Sequence, residues 1–281
     1  MRAPNIGSAE HKALFCREFL DTFHAYEVRD VRWPELSSAD LQRLRALPFW
    51  AEAVSSERTA GARVQAMAEV ERDPVLHEAI AMQAYEESRH AALLESMLAH
   101  YGIPIPEGEG VRPRDAEWGF LRMGYGECFD SFFAFGLFRL AADSGIFPGP
   151  LVERFDGVMQ EEARHILFFT NWVAYRRLQL PFHRKARFLV RRGLGISLQA
   201  FGRARTALQL RAADEGDDFT MQVPDSIGEV TLRTLAETCL RENERRLAEY
   251  DPRLLRPRLV PRLVRQALRL APRGRNGAPA A

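Results

Sequence analysis

Apolar residues recur every three or four positions through most of the 281 residues, the spacing of one buried face on an α-helix. Leu14, Phe15, Cys16, Phe19, Leu20 and Phe23 form a broad apolar face, predicting a helix over 9–27 that a loop around Trp33-Pro34 follows. Ser38-Ala39-Asp40 begins a short helix ending near Pro48, and four long helices are predicted over 49–72, 74–101, 117–143 and 150–178. Asp73-Pro74 opens the second of these, with Asp as cap and Pro at the first helical position, and Gly149-Pro150 opens the fourth in the same way. The connection over 102–114 is rich in proline and glycine and long enough to cross a bundle. Beyond Pro181 the pattern predicts a basic helix over 183–210, an acidic loop over 212–224, a helix over 226–250 and a basic amphipathic segment over 253–275, with 276–281 disordered.

Carboxylates interrupt four of these apolar stripes. Trp50, Val54, Glu57, Gly61, Val64 and Ala68 share one stripe, whereas Glu52 lines up with Ser56, Thr59 and Arg63 on a solvated face. Ile80, Ala84, Glu87, Ala91, Leu94 and Leu98 form the second stripe, and Phe155, Met159, Glu162, Ile166, Phe169 and Val173 the fourth. On the third helix Met123, Glu127, Ser131, Ala134 and Phe138 point inward, with Asp130 one turn from Glu127 as its alternate.

The pentad Glu86-Glu87-Ser88-Arg89-His90 returns as Glu161-Glu162-Ala163-Arg164-His165. One Glu-x-x-His is weak evidence in a chain with 25 Glu and 7 His, but two five-residue copies are not coincidence. Glu and His three apart lie on one helical face, so two such helices offer two carboxylates and two imidazoles to a common interior point. Glu57 and Glu127 would complete a set able to hold two divalent metal ions, which need hard oxygen ligands to offset their charge. The plainer alternative is two surface helices with ordinary polar faces. Buried carboxylates without metal or partners would be costly.

The order Glu57, Glu87-x-x-His90, Glu127, Glu162-x-x-His165 resembles the ferritin-like di-iron carboxylate superfamily, over about residues 50–180. The Arg before each His is similar to the form found in ribonucleotide reductase small subunits and bacterial di-iron monooxygenases. The resemblance implies an all-α, ferritin-like four-helix bundle with additional N- and C-terminal helices and two iron ions, although iron–manganese or manganese would suit the same ligands. It implies that Glu57 and His90 serve one ion and Glu127 and His165 the other, with Glu87 and Glu162 bridging. Glu86 and Glu161 match the acid that supports a metal-bound His through its free ring nitrogen. Arg89 and Arg164 are read either as exposed ion-pair residues or as further support around the site. Ser131 occupies the place of a hydroxyl residue beside the oxygen pocket in several hydroxylating families, where Thr is usual.

The implied chemistry is oxidation or hydroxylation of a small, largely apolar organic substrate by molecular oxygen. Phe129, Phe132, Phe133, Phe135 and Phe138 are mostly core, with Phe135 and Phe138 as candidates for an apolar pocket. No nucleotide-binding fingerprint or Cys-rich iron–sulfur motif supplies electrons, so an external reductase or ferredoxin is expected. Two other classes stay open: a ferroxidase or iron-handling ferritin-like protein, and a non-catalytic ferritin-like module.

Composition refines this picture. Residues 1–180 carry 19 basic and 27 acidic side chains, whereas 181–281 carry 20 and 11, so the two parts have opposite net charge. Residues 253–275 hold eight Arg and no acid. Such a segment suits an anionic membrane surface, an acidic partner, or packing on the acidic bundle of its own or a neighbouring subunit. Nucleic acid is not expected, because no aromatic platform accompanies the arginines. Cys16, Cys128 and Cys239 are widely spaced and odd in number, against a disulfide framework or a Cys-x-x-Cys metal site. No apolar run approaches ~18 residues and the first residues hold no apolar signal region, predicting a cytoplasmic protein with peripheral contact at the inner membrane surface as an option. The expected organisation is an N-terminal helical extension over 1–48, the metal-binding bundle over 49–180 and a basic extension over 181–281, with a homodimer left open.

Overall fold

A computed structural model describes residues 3–214 and 231–270, which are helical throughout their regular parts. The helices are α1 (Ala9–Asp21), α2 (Ser38–Ala46), α3 (Trp50–Val70), α4 (Pro74–His100), α5 (Ala116–Asp143), α6 (Gly149–Gln179), α7 (Phe182–Asp214), α8 (Leu232–Leu247) and α9 (Leu259–Leu270). No helix among the described residues is long and apolar enough to cross a membrane.

Two apolar clusters organise the four long helices α3 to α6. One holds Val64 and Met67 of α3, Leu76 and Ile80 of α4, Phe120 and Leu121 of α5, and Phe168 and Trp172 of α6. The other gathers Trp50 and Val54 at the start of α3, Leu93 and Leu98 near the end of α4, and Leu151 and Phe155 at the start of α6, under Leu44 of α2. Glu57, Glu87 and Glu162 fall between their helices' contributions to the two clusters, so a polar layer crosses the interior there. The cluster membership also gives direction: α3 and α4 run oppositely, as do α5 and α6, whereas α4 and α5 run the same way. The 101–115 connection must therefore travel back along the helices. Arg58 of α3 holds it, donating to the carbonyls of Pro106 and Gly108 at 2.8 Å and pairing with Glu95 at 2.7 Å.

Local signals set the helix ends, with two differences from expectation. Asp73 caps α4 through the N–H groups of Val75 and Leu76, but α6 begins after Pro148 with no side-chain cap. The first helix stops at Asp21 rather than at 27. The chain leaves the helix there to place the His24 carbonyl 3.0 Å from Nη1 of buried Arg89, a tertiary contact that outweighs the apolar spacing of Phe23. The cap of α2 is Ser37, one residue before the predicted start.

The C-terminal helices pack on α5 and α6. Phe129 and Phe132 face Cys239 of α8 and Val260 of α9, with Phe133 against them, so these three rings of the Phe-rich stretch form the core beneath the appended helices. A methyl group at Gly136 would overlap Cys239 Sγ and approach its backbone N and Cα at 2.8 Å, so α5 and α8 touch at the backbone. Arg191 of α7 reaches Asp115, the cap of α5, at 2.5 Å. Asn171 of α6 accepts from the Leu255 N–H at 3.0 Å, donates to the Leu255 carbonyl at 3.0 Å, and accepts from Nε2 of His11 at 3.1 Å. One amide thereby joins α1, α6 and the segment between α8 and α9. The basic helix extends beyond the predicted 183–210, through Asp214, and the remainder of the predicted acidic loop lies outside the described residues. Of the predicted 226–250 helix, 226–230 lie outside them and the helix spans Leu232–Leu247. Residues 271–281, including the predicted disordered end, also lie outside them.

Two predictions follow from this packing. Gly136→Ala gains about 1 kcal/mol of helix propensity but overpacks a backbone contact at a cost of about 1–3 kcal/mol, so urea denaturation should show a net loss of stability. The hydrogen bond from Arg191 holds Asp115 below the usual aspartate range against the opposing effect of burial. A depressed folded pKa adds stability above the unfolded value and loses it as pH falls. Asp115→Asn, which keeps a capping oxygen, should lower the unfolding midpoint at neutral pH, and the difference should begin to shrink only below the ordinary aspartate pKa of about 3.9, vanishing once pH falls under the lowered folded value.

Candidate metal centre

Each pentad puts its second Glu, its Arg and its His inside the protein. Glu87 is 1% exposed, His90 1%, Glu162 8% and His165 0%, and the arginines are equally enclosed, Arg89 at 4% and Arg164 at 2%. Arg89 and Arg164 are thus not surface ion-pair residues. Buried guanidinium groups need carboxylates, and the helices supply them by exchange. Glu161 of α6 accepts from Arg89 Nη2 at 2.6 Å and binds His90 Nε2 at 2.6 Å, both on α4. Glu86 of α4 pairs with Arg164 and lies 3.0 Å from His165 Nε2, both on α6. Each acid therefore supports the imidazole of the other pentad, not that of its own.

The outer side of this exchange is sealed by α1 and the segment after it. Arg164 donates to the Phe19 carbonyl at 3.1 Å and lies 4.7 Å from the centre of the Phe19 ring. Arg89 donates to the His24 carbonyl and lies 3.9 Å from the centre of the Tyr26 ring.

On the inner side the two Nδ1 atoms face carboxylates. His90 Nδ1 is 3.1 Å from Glu162 Oε1 and 3.6 Å from Glu57 Oε2. His165 Nδ1 is 2.9 Å from Glu87 Oε1 and 3.9 Å from Glu162 Oε1. Glu57, Glu87, His90 and Glu162 form one group whose ligand atoms all lie within 4.8 Å of one another, and Glu87, Glu127 and His165 form a second. Glu87 belongs to both, and Glu162 lies between the imidazoles.

The orphaned atoms point the same way. His90 Nδ1, His165 Nδ1, Glu162 Oε1 and both carboxylate oxygens of Glu127 are buried and have no hydrogen-bond partner among the described residues. These atoms crowd one another without hydrogen-bond geometry, an arrangement that a metal ion between them would satisfy. The donor set of carboxylates and imidazole suits iron or manganese. Asp130, the alternate to Glu127, is exposed at the surface of α5.

The same crowding shifts the titrations. Burial alone would lower the pKa of His90, but Glu161, Glu162 and Glu57 reverse this and hold it well above the usual imidazole value. Burial likewise works against charge on His165, and Glu87 and Glu86 overcome it. Burial raises Glu127 well above the carboxylate range, and the charges of Glu87 and Glu162 add to the effect. Glu57 keeps 25% of its side chain exposed, yet loss of water around its carboxylate raises its pKa against the pull of His90. Glu86 is opposed by burial, but His165 and Arg164 hold it below its ordinary value and so ionised.

Other predicted positions divide. Ser131 is buried and donates to Glu162 Oε2 at 3.4 Å, which places it at the cluster. Phe135 is fully buried beneath Arg246 of α8, whose guanidinium lies 5.4 Å from the ring centre, and Phe138 packs against Phe147. Burial keeps the Cys128 thiol protonated, as suits a spectator. Sequence reasoning missed Gln83, fully buried, whose Nε2 donates to Glu87 Oε1 at 3.3 Å. Its position one turn before Glu87 was the available signal.

The chain matches no family model, no curated protein and no solved structure.

The exchange makes Glu86 a discriminating position. Glu86→Ala strands Arg164 and should cost about 3–5 kcal/mol in urea unfolding of the metal-free protein. Glu86→Gln keeps the volume and an acceptor for His165 and should cost less; if the cluster holds a divalent metal, this variant should bind it about 10–100-fold more weakly. Unchanged binding by Glu86→Gln would show that the carboxylate does not position His165 for a metal.

Proposed function

We propose that the chain is a ferritin-like di-iron protein that uses molecular oxygen to oxidise or hydroxylate a small, largely apolar organic substrate. The carrying observation is the pair of ligand groups that share Glu87 and face unpartnered Nδ1 atoms in a buried layer. The opposed and parallel directions of α3 to α6, with a long return between α4 and α5, support a ferritin-like bundle.

Glu57, Glu87, His90 and Glu162 would hold one ion, and Glu87, Glu127 and His165 the other, with Glu162 reaching toward both. When bound, two ferrous ions would supply electrons for reducing oxygen. The protein's part is positional. Glu161 and Glu86 fix the Nε2 side of each ring and leave Nδ1 for the metal. Gln83 steadies Glu87, and Ser131 steadies Glu162. The apolar clusters above and below keep bulk water away from the carboxylates. An external reductase or ferredoxin would restore the ferrous state for each turnover.

Anaerobic ferrous titration tests this reading. The parent protein should bind two iron ions per chain, and Glu87→Ala/Glu162→Ala should lose both while remaining helical by circular dichroism. Oxygen uptake that stops after one oxidation of the bound iron, and that a reductant cannot sustain with any apolar substrate, would favour iron handling instead. No specific iron or manganese binding would overturn the proposal.

A further inference from the structure

Four arginines meet in a second place, remote from the pentads in sequence. Arg256, Arg258, Arg262 and Arg265 line a cleft of about 460 Å³ between α8 and α9, closed on the α8 side by Asn243 and Glu244. Among the described residues Glu244 is the one acid in that wall, and it is already paired with Arg265. The wall thus carries three more positive charges than negative ones. Arg256 is anchored by its Nη2, which donates to the Tyr250 carbonyl at 2.8 Å, while its Nη1 is buried without a partner among the described residues. Arg258 and Arg262 stand one turn apart at the start of α9, both exposed, and neither forms an ion pair among the described residues. The N-terminal end of α9 adds its own favourable field for an anion.

We propose that this cleft binds the phosphate group of an organic phosphate ester. Guanidinium forks from the segment before α9 and from α9 itself line one cleft, and several of them can bond a tetrahedral, multiply charged anion, whereas a single carboxylate would engage only one or two of them. Among the described residues no aromatic side chain lines this open cleft for stacking, which separates it from a nucleic-acid groove. Such an ester has two sources. It is either a soluble phosphorylated molecule or a phospholipid headgroup, and Leu259 and Leu263, 41% and 49% exposed beside these arginines, could meet the lipid. The inference is independent of the metal reading.

Calorimetric titration of the full chain with inorganic pyrophosphate tests the site. The parent protein and Arg184→Gln/Arg187→Gln, which removes the same charge from exposed positions on α7, should bind saturably. Arg258→Gln/Arg262→Gln should bind about tenfold more weakly or worse. Co-sedimentation with phosphatidylglycerol vesicles separates the sources: cleft-dependent vesicle binding that pyrophosphate displaces assigns the headgroup, and pyrophosphate binding without vesicle binding assigns a soluble ester. The proposal fails if pyrophosphate shows no saturable binding. It fails if both double variants lose affinity equally, which means diffuse attraction, or if the cleft variant binds undiminished, which places the anion elsewhere, the carboxylate–histidine cluster included.

Discussion

Charge exchange between α4 and α6 is the constraint around which the rest of the molecule is arranged. Glu86 and Glu161 each lie within 6% exposure of full burial, as do Arg89 and Arg164, and each of these four groups would destabilise the fold by several kcal/mol if left alone. Because the acid of one helix serves the Arg and His of the other, sliding either helix by one residue would break every pair together. The register of α4 against α6 is fixed by this requirement more firmly than apolar packing alone could fix it. The same arrangement explains α1: each buried guanidinium keeps an Nη1 that the acids do not satisfy, and the carbonyls of Phe19 and His24 receive these two groups.

Much of the candidate site was legible because each ligand lies on an amphipathic helix and a helix has a simple period. Glu57 on the Trp50–Val54–Val64 stripe and Glu127 on the Met123–Ser131 stripe were found by the wheel alone, and both meet the His–Glu pairs in space. The wheel treats one helix at a time, so it could not show that Glu86 serves His165 and Glu161 serves His90. It also could not separate a buried Arg from a surface Arg, since a long side chain can turn from the edge of a stripe toward either environment. The early end of α1 was hidden for a related reason: the residue that stops it is Arg89, 65 positions away from the carbonyl it captures. Among the Phe-rich positions of α5, composition announced burial without saying which neighbour would do the burying. Phe129, Phe132 and Phe133 belong to the face covered by α8 and α9, on a different side from Glu127.

The opposite charges of the two parts of the chain are partly resolved by direct contact. Arg191 reaches Asp115, and Arg246, itself 1% exposed, reaches Asp156 at 2.5 Å, so acids of the long helices receive cations of the C-terminal ones. Arg246 also covers Phe135, so a charged residue and an aromatic ring share one contact and hold α8 against α5. The α9 arginines are left outside this neutralisation, apart from the pairing of Arg265 with Glu244. Among the described residues, Arg258 and Arg262 thus stand apart from the paired arginines of α7 and α8, even though composition presents them as a single basic tail.

Asn171 gives the molecule a schedule. Its amide lies in the interior of α6, six residues after His165, and bonds both backbone groups of Leu255, which lies 84 positions further along. During synthesis α6 leaves the ribosome long before Leu255 exists, and the pentads can meet while this amide holds His11 but not yet Leu255. Closure of this joint therefore comes late in chain growth, after α8 has been made. The C-terminal segment thus ties α1 and α6 together through one side chain, a joint that no chain shorter than Leu255 can make.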